Sequence, residues 1–396
     1  MTSAPAPLLP LHLDLRGRRV LVVGGGAVAR RRSSTLVEAG ADVVVVAPEV
    51  VDGMPGTVHR RAYDPGDLDG AWLVVTATGV VDEQVAADCD ARGTWCVRAD
   101  DASRSAAWVP AVARVDDVVV SVSAGRDPRR AVALREALAL ALETGELPLR
   151  RGRPGTGSVA LVGGGPGDPG LLTVRGRRLL AGADVVVRDR LAPPVELPEG
   201  TEVVEVGKSP RGPSWSQADI DALLVEQAQR GRRVVRLKGG DVHVFARGIE
   251  EVAACVAAGV PVEVVPGVSS ALAVPALAGI PVTARGVNQS VAVVSAHLPP
   301  GDPASTVDWD ALARLGGTLV LLMAVDRLPA VCAALVAGGR APSTPVAAVQ
   351  DGSLPGQRTV VGTLGEPAAL ADVRAPAVVV VGEVVDLLLP VGRGAA

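Results

Sequence analysis

The chain has 396 residues, long enough for two or three domains with sizeable buried cores, and 48% of it is hydrophobic, mostly Ala, Val and Leu, with only 2% aromatic. A net charge of -4 argues against a nucleic-acid-binding protein as a whole, and charges, Gly or Pro interrupt each apolar run before it reaches the length of a membrane span. Met1–Pro10 has no basic stretch ahead of an apolar one, so no signal peptide is expected; Cys89, Cys96, Cys255 and Cys332 form no C-x-x-C pair and read as buried thiols of a cytoplasmic protein.

The chain opens with an apolar strand (20–23), a glycine turn and a helix through Val37. Gly24-x-Gly26-x-x-Ala29 has the G-x-G-x-x-G/A form of a dinucleotide-binding turn. Gly24 makes the turn, Gly26 lets a pyrophosphate approach, and Ala29 allows close helix–strand packing; the other reading is a Rossmann-like unit without a nucleotide. A second strand ends at Ala47, followed by Pro48-Glu49, so the acidic ribose partner comes a little late. Strands at 72–78 and 95–99 bring Thr76, Thr78 and Asp100 to the C-terminal edge of the predicted parallel sheet, where ligands bind; the other reading of Asp100 or Asp101 is a turn or cap residue. Another strand (118–123) and an amphipathic helix (128–144), with Val132, Leu134, Leu138 and Leu142 on the expected buried face, complete this half.

Arg150–Gly157 is a basic Gly/Pro-rich linker. After it the strand–glycine-loop pattern restarts at Val159–Thr173, with five glycines and two prolines between positions 163 and 170. Such a loop, ending at a helix N-terminus, makes a cradle for a nucleotide-like cofactor, but lacks the Gly-Lys-Ser/Thr ending of a phosphate P-loop. Strands ending at Asp189 and Gly207-Lys208 follow, then a helix with Ser216 as N-cap, a strand running into Lys238-Gly-Gly-Asp241, and a third small-residue turn, Pro266–Ser270. Further alternation to Val381 makes both halves α/β. Lys208 and Lys238 are the only lysines in an Arg-dominated chain, which hints at places where an ammonium is required. The histidines (His12, His59, His243, His297) show no ligand-pair spacing, so no metal site is assigned.

The ordered motifs 162–173, Arg188-Asp-Arg-Leu191, Val206-Gly-Lys208, Val234–Asp241, Val265–Ser269 and Gly279–Thr283 resemble uroporphyrinogen-III C-methyltransferases. Residues 12–145 resemble precorrin-2 dehydrogenases through Val23–Ala29, Thr76-Ala-Thr78 and Asp100-Asp101, and the two in this order resemble the siroheme synthase family. The resemblance implies an N-terminal Rossmann-like NAD-binding domain (1–149), the linker (150–157) and a C-terminal two-lobed α/β tetrapyrrole methylase domain (158–396). It implies S-adenosylmethionine contacts at Pro166, Gly239, Gly240, Asp241, Val244, Ser269, Ser270, Met323 and Gly352. NAD contacts fall at Gly24, Gly26, Ala27, Val28, Pro48 and Glu49. Asp189 falls on the family's proton acceptor, Lys208 on its proton donor and Asp100 on the dehydrogenase carboxylate. Arg188, Arg190, Lys208, Arg211, Arg247 and Arg285 are candidate partners for the tetrapyrrole carboxylates. A homodimer is implied as well.

Departures from the family pattern are Val242 and Ala246 in place of Pro and Gly in the second cofactor loop, Ser295-Ala296-His297 for Thr-Gly-His, and Ala284-Arg285 for His-Arg. The long helical segment that siroheme synthases carry between their halves has no counterpart. The expected activity is methylation of uroporphyrinogen III to precorrin-2 with NAD-dependent oxidation to sirohydrochlorin. Its alternatives are a monofunctional methyltransferase with a binding-only first domain, and a tetrapyrrole carrier or sensor with both sites degenerate.

Overall fold

The computed structural model describes residues 9–101, 104–125, 127–149, 156–207 and 215–387. The chain divides into two compact units, 1–138 and 139–396. In the first, β1 (Arg19–Val23), α1 (Ala27–Glu38), β2 (Asp42–Val46), β3 (Thr57–His59), β4 (Leu73–Thr76), α2 (Asp82–Ala91) and β5 (Trp95–Arg98) form an open parallel sheet in the order β3-β2-β1-β4-β5. The Val-rich strands are buried on both faces: Val20 and Val22 join one core layer, Leu21 and Val23 the other. The sheet order reverses at β1, which sets the crevice at the C-terminal ends of β1 and β4.

An antiparallel pair follows, β6 (Ala111–Val115) with β7 (Val118–Val122), then α3 (Pro128–Thr144), which straddles the boundary between the units. The sequence reading found β7 but not its partner β6. It also placed Val132, Leu134 and Leu138 on a buried face. The structure buries Ala131 and Leu142 and leaves those three about 40% exposed. A helical apolar period shows that a face asks for cover; it does not say that the same chain supplies it.

The second unit starts with β8 (Ser158–Gly163), α4 (Val174–Ala181), β9 (Val185–Arg188), β10 (Glu202–Glu205), α5 (Gln217–Gln229), β11 (Arg233–Lys238), α6 (Gly248–Ala257) and β12 (Val262–Val265). These make a parallel sheet in the order β10-β9-β11-β8-β12. Ser216 caps α5 in a capping box with Asp219, as its sequence position predicts. A second lobe holds α7 (Ser270–Leu277), β13 (Val291–Ser295), α8 (Trp309–Arg314), β14 (Thr318–Leu322), α9 (Leu328–Ala337), β15 (Pro345–Gln350), β16 (Arg358–Thr363) and β17 (Ala377–Val381). Its sheet, β13-β14-β17-β15-β16, pairs β13 and β14 parallel and the other neighbours antiparallel.

The loops that leave β8, β11 and β12 meet backbone to backbone. A methyl group at Gly267 would lie 2.2 Å from the Gly240 carbonyl oxygen and 2.6 Å from Gly163 Cα; one at Gly163 would lie 2.4 Å from Gly267 N. Gly165 and Gly240 exchange backbone hydrogen bonds at 3.1 and 2.7 Å, and Gly164 N–H donates to the Lys238 carbonyl at 2.7 Å. Gly267→Ala therefore forces backbone apart in the interior and lowers stability by about 3 kcal/mol. Gly316→Ala adds a methyl that meets nothing within 4 Å and leaves stability within about 0.5 kcal/mol. Urea denaturation midpoints of the two variants check the difference.

Candidate active sites

In the first unit, α1 begins directly on the β1 turn, and no side chain caps its N-terminus. Ala27 and Val28 are exposed there, and a methyl at Gly26 would meet nothing within 4 Å. An open glycine beside uncapped helix N–H groups fits the pyrophosphate of a dinucleotide. Ala29 is fully buried against the sheet, as its motif position requires. The tightest glycine is one that the motif treats as variable: a methyl at Gly25 would lie 1.8 Å from the Glu49 carbonyl oxygen, so the turn rests on the Pro48-Glu49 segment. Val51 N–H donates to the Gly25 carbonyl at 2.9 Å and closes that contact.

Thr76 and Thr78 reach the crevice edge but turn to Asp82. The Thr76 hydroxyl donates to Asp82 Oδ1, the Thr78 hydroxyl to Oδ2 at 2.8 Å, and Thr78 N–H to Oδ1 at 3.0 Å. Burial works against ionisation of Asp82, yet these hydrogen bonds outweigh it and hold its carboxyl below the usual range. The threonines thus organise the β4–α2 loop. Asp100 is clamped by Arg98, whose Nε and Nη2 donate to its two oxygens at 3.1 and 2.6 Å. Arg98 is itself buried and also donates to Glu83 on α2 at 3.0 Å, and Arg104 pairs with the other Glu83 oxygen. The guanidinium beside Asp100 holds its carboxyl below the ordinary range.

In the second unit the sequence-derived positions Pro166, Gly239, Gly240, Asp241, Ser269, Ser270 and Gly352 fall on loops that touch one another. Asp241 joins two of them: Oδ1 accepts from His243 N–H at 2.8 Å and Oδ2 from Gly267 N–H at 3.1 Å. The Ser269 hydroxyl caps α7, accepting from Ala271 N–H at 3.3 Å, and the Ser270 hydroxyl lies over Gly240. Ser353, which sequence reasoning missed, links the lobes by accepting from Asp168 N–H at 3.0 Å. A methyl at Gly352 would press on the Val274 side chain of α7 at 2.4 Å.

Backbone strain marks the same region. Phe245, Arg247, Met323, Asp351 and Ser353 have φ between 49° and 73°, and all five follow the C-terminal ends of β11, β14 and β15. Left-handed non-glycine residues gather where the fold over-determines a site. Met323 is half exposed there, and Val244 and Phe245 are also partly open. His243 and residues 245–249 line a hollow of about 420 Å³. Glycine-walled loops with an exposed Met and apolar side chains fit a nucleoside with a thioether or sulfonium.

Asp189 stands at the end of β9, where its N–H donates to the Leu237 carbonyl at 3.0 Å, and its side chain is 38% exposed. Lys208 and Arg211 lie outside the described residues. Among the other candidate counter-charges, Arg188 donates to Glu205 at 2.8 Å and Arg247 grips Glu250 through two hydrogen bonds, at 2.9 and 2.6 Å, while Arg190 and Arg285 are exposed. Val242 is fully buried in the core and accepts the Gly248 N–H at 3.2 Å. The other lysine, Lys238, is buried against Glu251, a residue with no sequence signal beyond its place in a helix. The four cysteines are free and buried. Among the described residues, no three His, Cys, Asp or Glu side chains converge as metal ligands, and no helix is long and apolar enough to cross a membrane.

Residues 158–368 match the family of tetrapyrrole (corrin/porphyrin) methylases, and residues 11–111 match a putative NAD(P)-binding family. Siroheme synthase of Chromobacterium violaceum is 38% identical over 449 residues, covering 96% of this chain and 95% of its own. That alignment is longer than the 396-residue chain, so the relative carries segments that have no counterpart here. The S-adenosyl-L-methionine-dependent uroporphyrinogen III methyltransferase of Methanosarcina barkeri is 47% identical over 237 residues, 58% of this chain and 93% of its own. The crystal structure of uroporphyrin-III C-methyl transferase from Thermus thermophilus, in complex with S-adenosyl homocysteine, is 42% identical over 58% of this chain and all of its own, with a TM-score of 0.50. Matched nearly end to end at this identity, with a methylase family across more than half its length, the chain belongs to the siroheme synthase family.

Proposed function

We propose that the chain methylates uroporphyrinogen III twice to give precorrin-2, and then oxidises precorrin-2 to sirohydrochlorin, in siroheme or corrinoid synthesis. The observation that carries this reading is the set of three glycine loops locked together at the strand ends beside Asp189. The methylase module is residues 158–396 and the dehydrogenase module residues 1–149, joined by the basic linker at 150–157. S-adenosylmethionine held by the loops at Pro166, Gly239–Asp241, Val244, Ser269-Ser270, Met323 and Gly352 supplies an electrophilic methyl group. The loops orient the donor behind an electron-rich pyrrole carbon, and positioning carries most of the acceleration. Each methyl transferred makes a C–C bond as the S–C bond breaks, and one proton leaves the macrocycle. Asp189, open to the crevice, accepts that proton, and Lys208 returns protons where the ring needs them. Arg190 and Arg285 meet substrate carboxylates directly; Arg188 and Arg247 do so by exchanging their present carboxylate partners.

In the first unit, NAD held at Gly24, Gly26–Val28 and Pro48-Glu49 supplies a hydride acceptor. Asp100 takes the proton that leaves with the hydride, so two hydrogens are lost in all. One observation favours a second reading, in which this unit binds NAD or tetrapyrrole without turnover: both Asp100 oxygens are already engaged by Arg98. The protein acts in the cytoplasm, in keeping with its four free buried thiols. It works as a homodimer, with the exposed apolar residues Val119, Val132, Leu134 and Leu138 of β7 and α3 covered by a second copy.

The deciding experiment is anaerobic and uses uroporphyrinogen III and S-adenosylmethionine, with NAD added afterwards. Two added methyls by mass, then NAD-dependent loss of two hydrogens, are expected. Methylation without a response to NAD selects the second reading, and no methylation overturns both. Asp100 must be ionised to accept a proton, and Arg98 keeps it ionised to lower pH. Arg98→Met therefore moves the acid limb of NADH formation to higher pH, leaving methylation unchanged; a limb that stays in place removes Asp100 from the step. In sedimentation velocity, Leu134→Glu with Leu138→Glu turns a dimer into a monomer; a wild-type monomer at micromolar concentration contradicts the assembly.

A further inference from the structure

Three charged side chains lie between β11 and α6 with almost no access to water. Arg236 and Lys238 on β11 are each 3% exposed, and Glu251 on α6 is fully buried. Arg236 Nε donates to Glu251 Oε1 at 2.9 Å, and Lys238 Nζ donates to both Glu251 oxygens at 2.9 Å. Arg236 Nη1 also reaches the Val187 and Leu237 carbonyls at 3.4 Å, and its Nη2 lies 4.0 Å from Asp189 Oδ1. Two cations share one anion, leaving a buried net positive charge. Besides Asp189, the nearby charged groups are Glu250 on α6, which faces Arg247 and Lys238, and Asp221 on α5, which acts on Arg247.

A buried ionic triad is a poor way to stabilise a fold, since apolar side chains of similar volume often do as well or better. Stability alone therefore does not explain why three charges sit here. Burial drives Lys238 towards losing its proton, and Arg236 beside it pushes the same way; Glu251 and, more weakly, Asp189 oppose them. Outside the triad, the charged side chain that Arg236 approaches is Asp189, at the opening of the crevice. The same strand end holds the first glycine loop through the Lys238 carbonyl.

We propose that the Arg236–Glu251–Lys238 triad is a positioning device for Asp189: Glu251 pins both cations, and Arg236 fixes the carboxylate by charge and orientation where the methylated ring gives up its proton. This rests on the reading of Asp189 as proton acceptor. The triad touches no substrate and acts through Asp189 alone.

The test uses the full chain, uroporphyrinogen III and S-adenosylmethionine under anaerobic conditions. Arg236→Met is expected to lower kcat by about tenfold, with KM and calorimetric affinity for S-adenosylhomocysteine within about twofold of wild type, and Arg236→Lys recovers a large part of kcat. Because one removal leaves charges unbalanced, a triple variant (Arg236→Met, Lys238→Met, Glu251→Leu) removes all three together. It is expected to unfold no earlier than wild type, to bind S-adenosylhomocysteine normally and to methylate slowly. A triple variant with wild-type kcat overturns the proposal, and so does one that loses S-adenosylhomocysteine binding, which makes the triad a support for the fold or cofactor. Asp189→Asn separates the two layers: wild-type methylation in that variant removes the underlying reading, whereas slow methylation there beside a fast triple variant removes only the triad.

Discussion

The second unit depends on a steric constraint: three loops from three strands pass so close that no side chain fits between them. A Cβ at Gly163 or at Gly267 would strike the other's backbone and the Gly240 carbonyl oxygen. Close approach of this kind turns three separate strand ends into one surface, and Asp241 makes the joint polar as well as steric by accepting N–H groups from two of the loops. In the proposed reaction, precision in placing a methyl donor behind a carbon follows from such a joint, because a loop that cannot move alone cannot misplace its ligand alone. The strained residues after β11, β14 and β15 extend the same rigidity into the second lobe.

The alternation of strands, helices and glycine turns is legible in the sequence where each has a local cause; β3, β6 and β16 are not read there. Valine runs read as doubly buried strands, Ser216 as a helix start, and glycine clusters as turns at strand ends. Partnership across long separations is not local. Ser353 looks like one more turn serine, yet its hydroxyl holds the loop at Asp168. Glu251 looks like a solvent-facing residue in the first turn of a helix, yet it is fully buried because β11 places Arg236 and Lys238 beneath it. The Lys238 clue, a lysine kept in an arginine-rich chain, was visible; its partner was not. The threonines of β4 show the converse: their place at the crevice edge is legible, but Asp82 draws their hydroxyls away.

The site residues divide by what surrounds them more than by their type. Glycines in the first unit do two jobs: Gly25 seats the turn on the next segment, and Gly26 stays open at the helix start. The G-x-G-x-x-A pattern names the open position and passes over the seated one, because a motif records what the ligand needs and not what the neighbouring backbone demands. The same distinction applies to Ser269, whose hydroxyl caps α7, while Ser270 faces Gly240.

In the proposed mechanism two carboxylates take protons, and their settings differ. Asp100 is gripped through both oxygens by a buried guanidinium that is itself tied to Glu83. Such an ion pair fixes geometry well but weakens the base, since ionisation is already favoured without a proton to remove. Asp189 faces its guanidinium at 4.0 Å, beyond hydrogen-bond range, with its side chain partly open. In the proposed arrangement the buried charge beneath orients it without a hydrogen bond from that guanidinium. A proton acceptor coupled to a two-electron oxidation can rely on the hydride acceptor for driving force; one that serves a ring already methylated must be in place when the positive charge forms. The tighter clamp and the looser one match that difference between the two proposed steps.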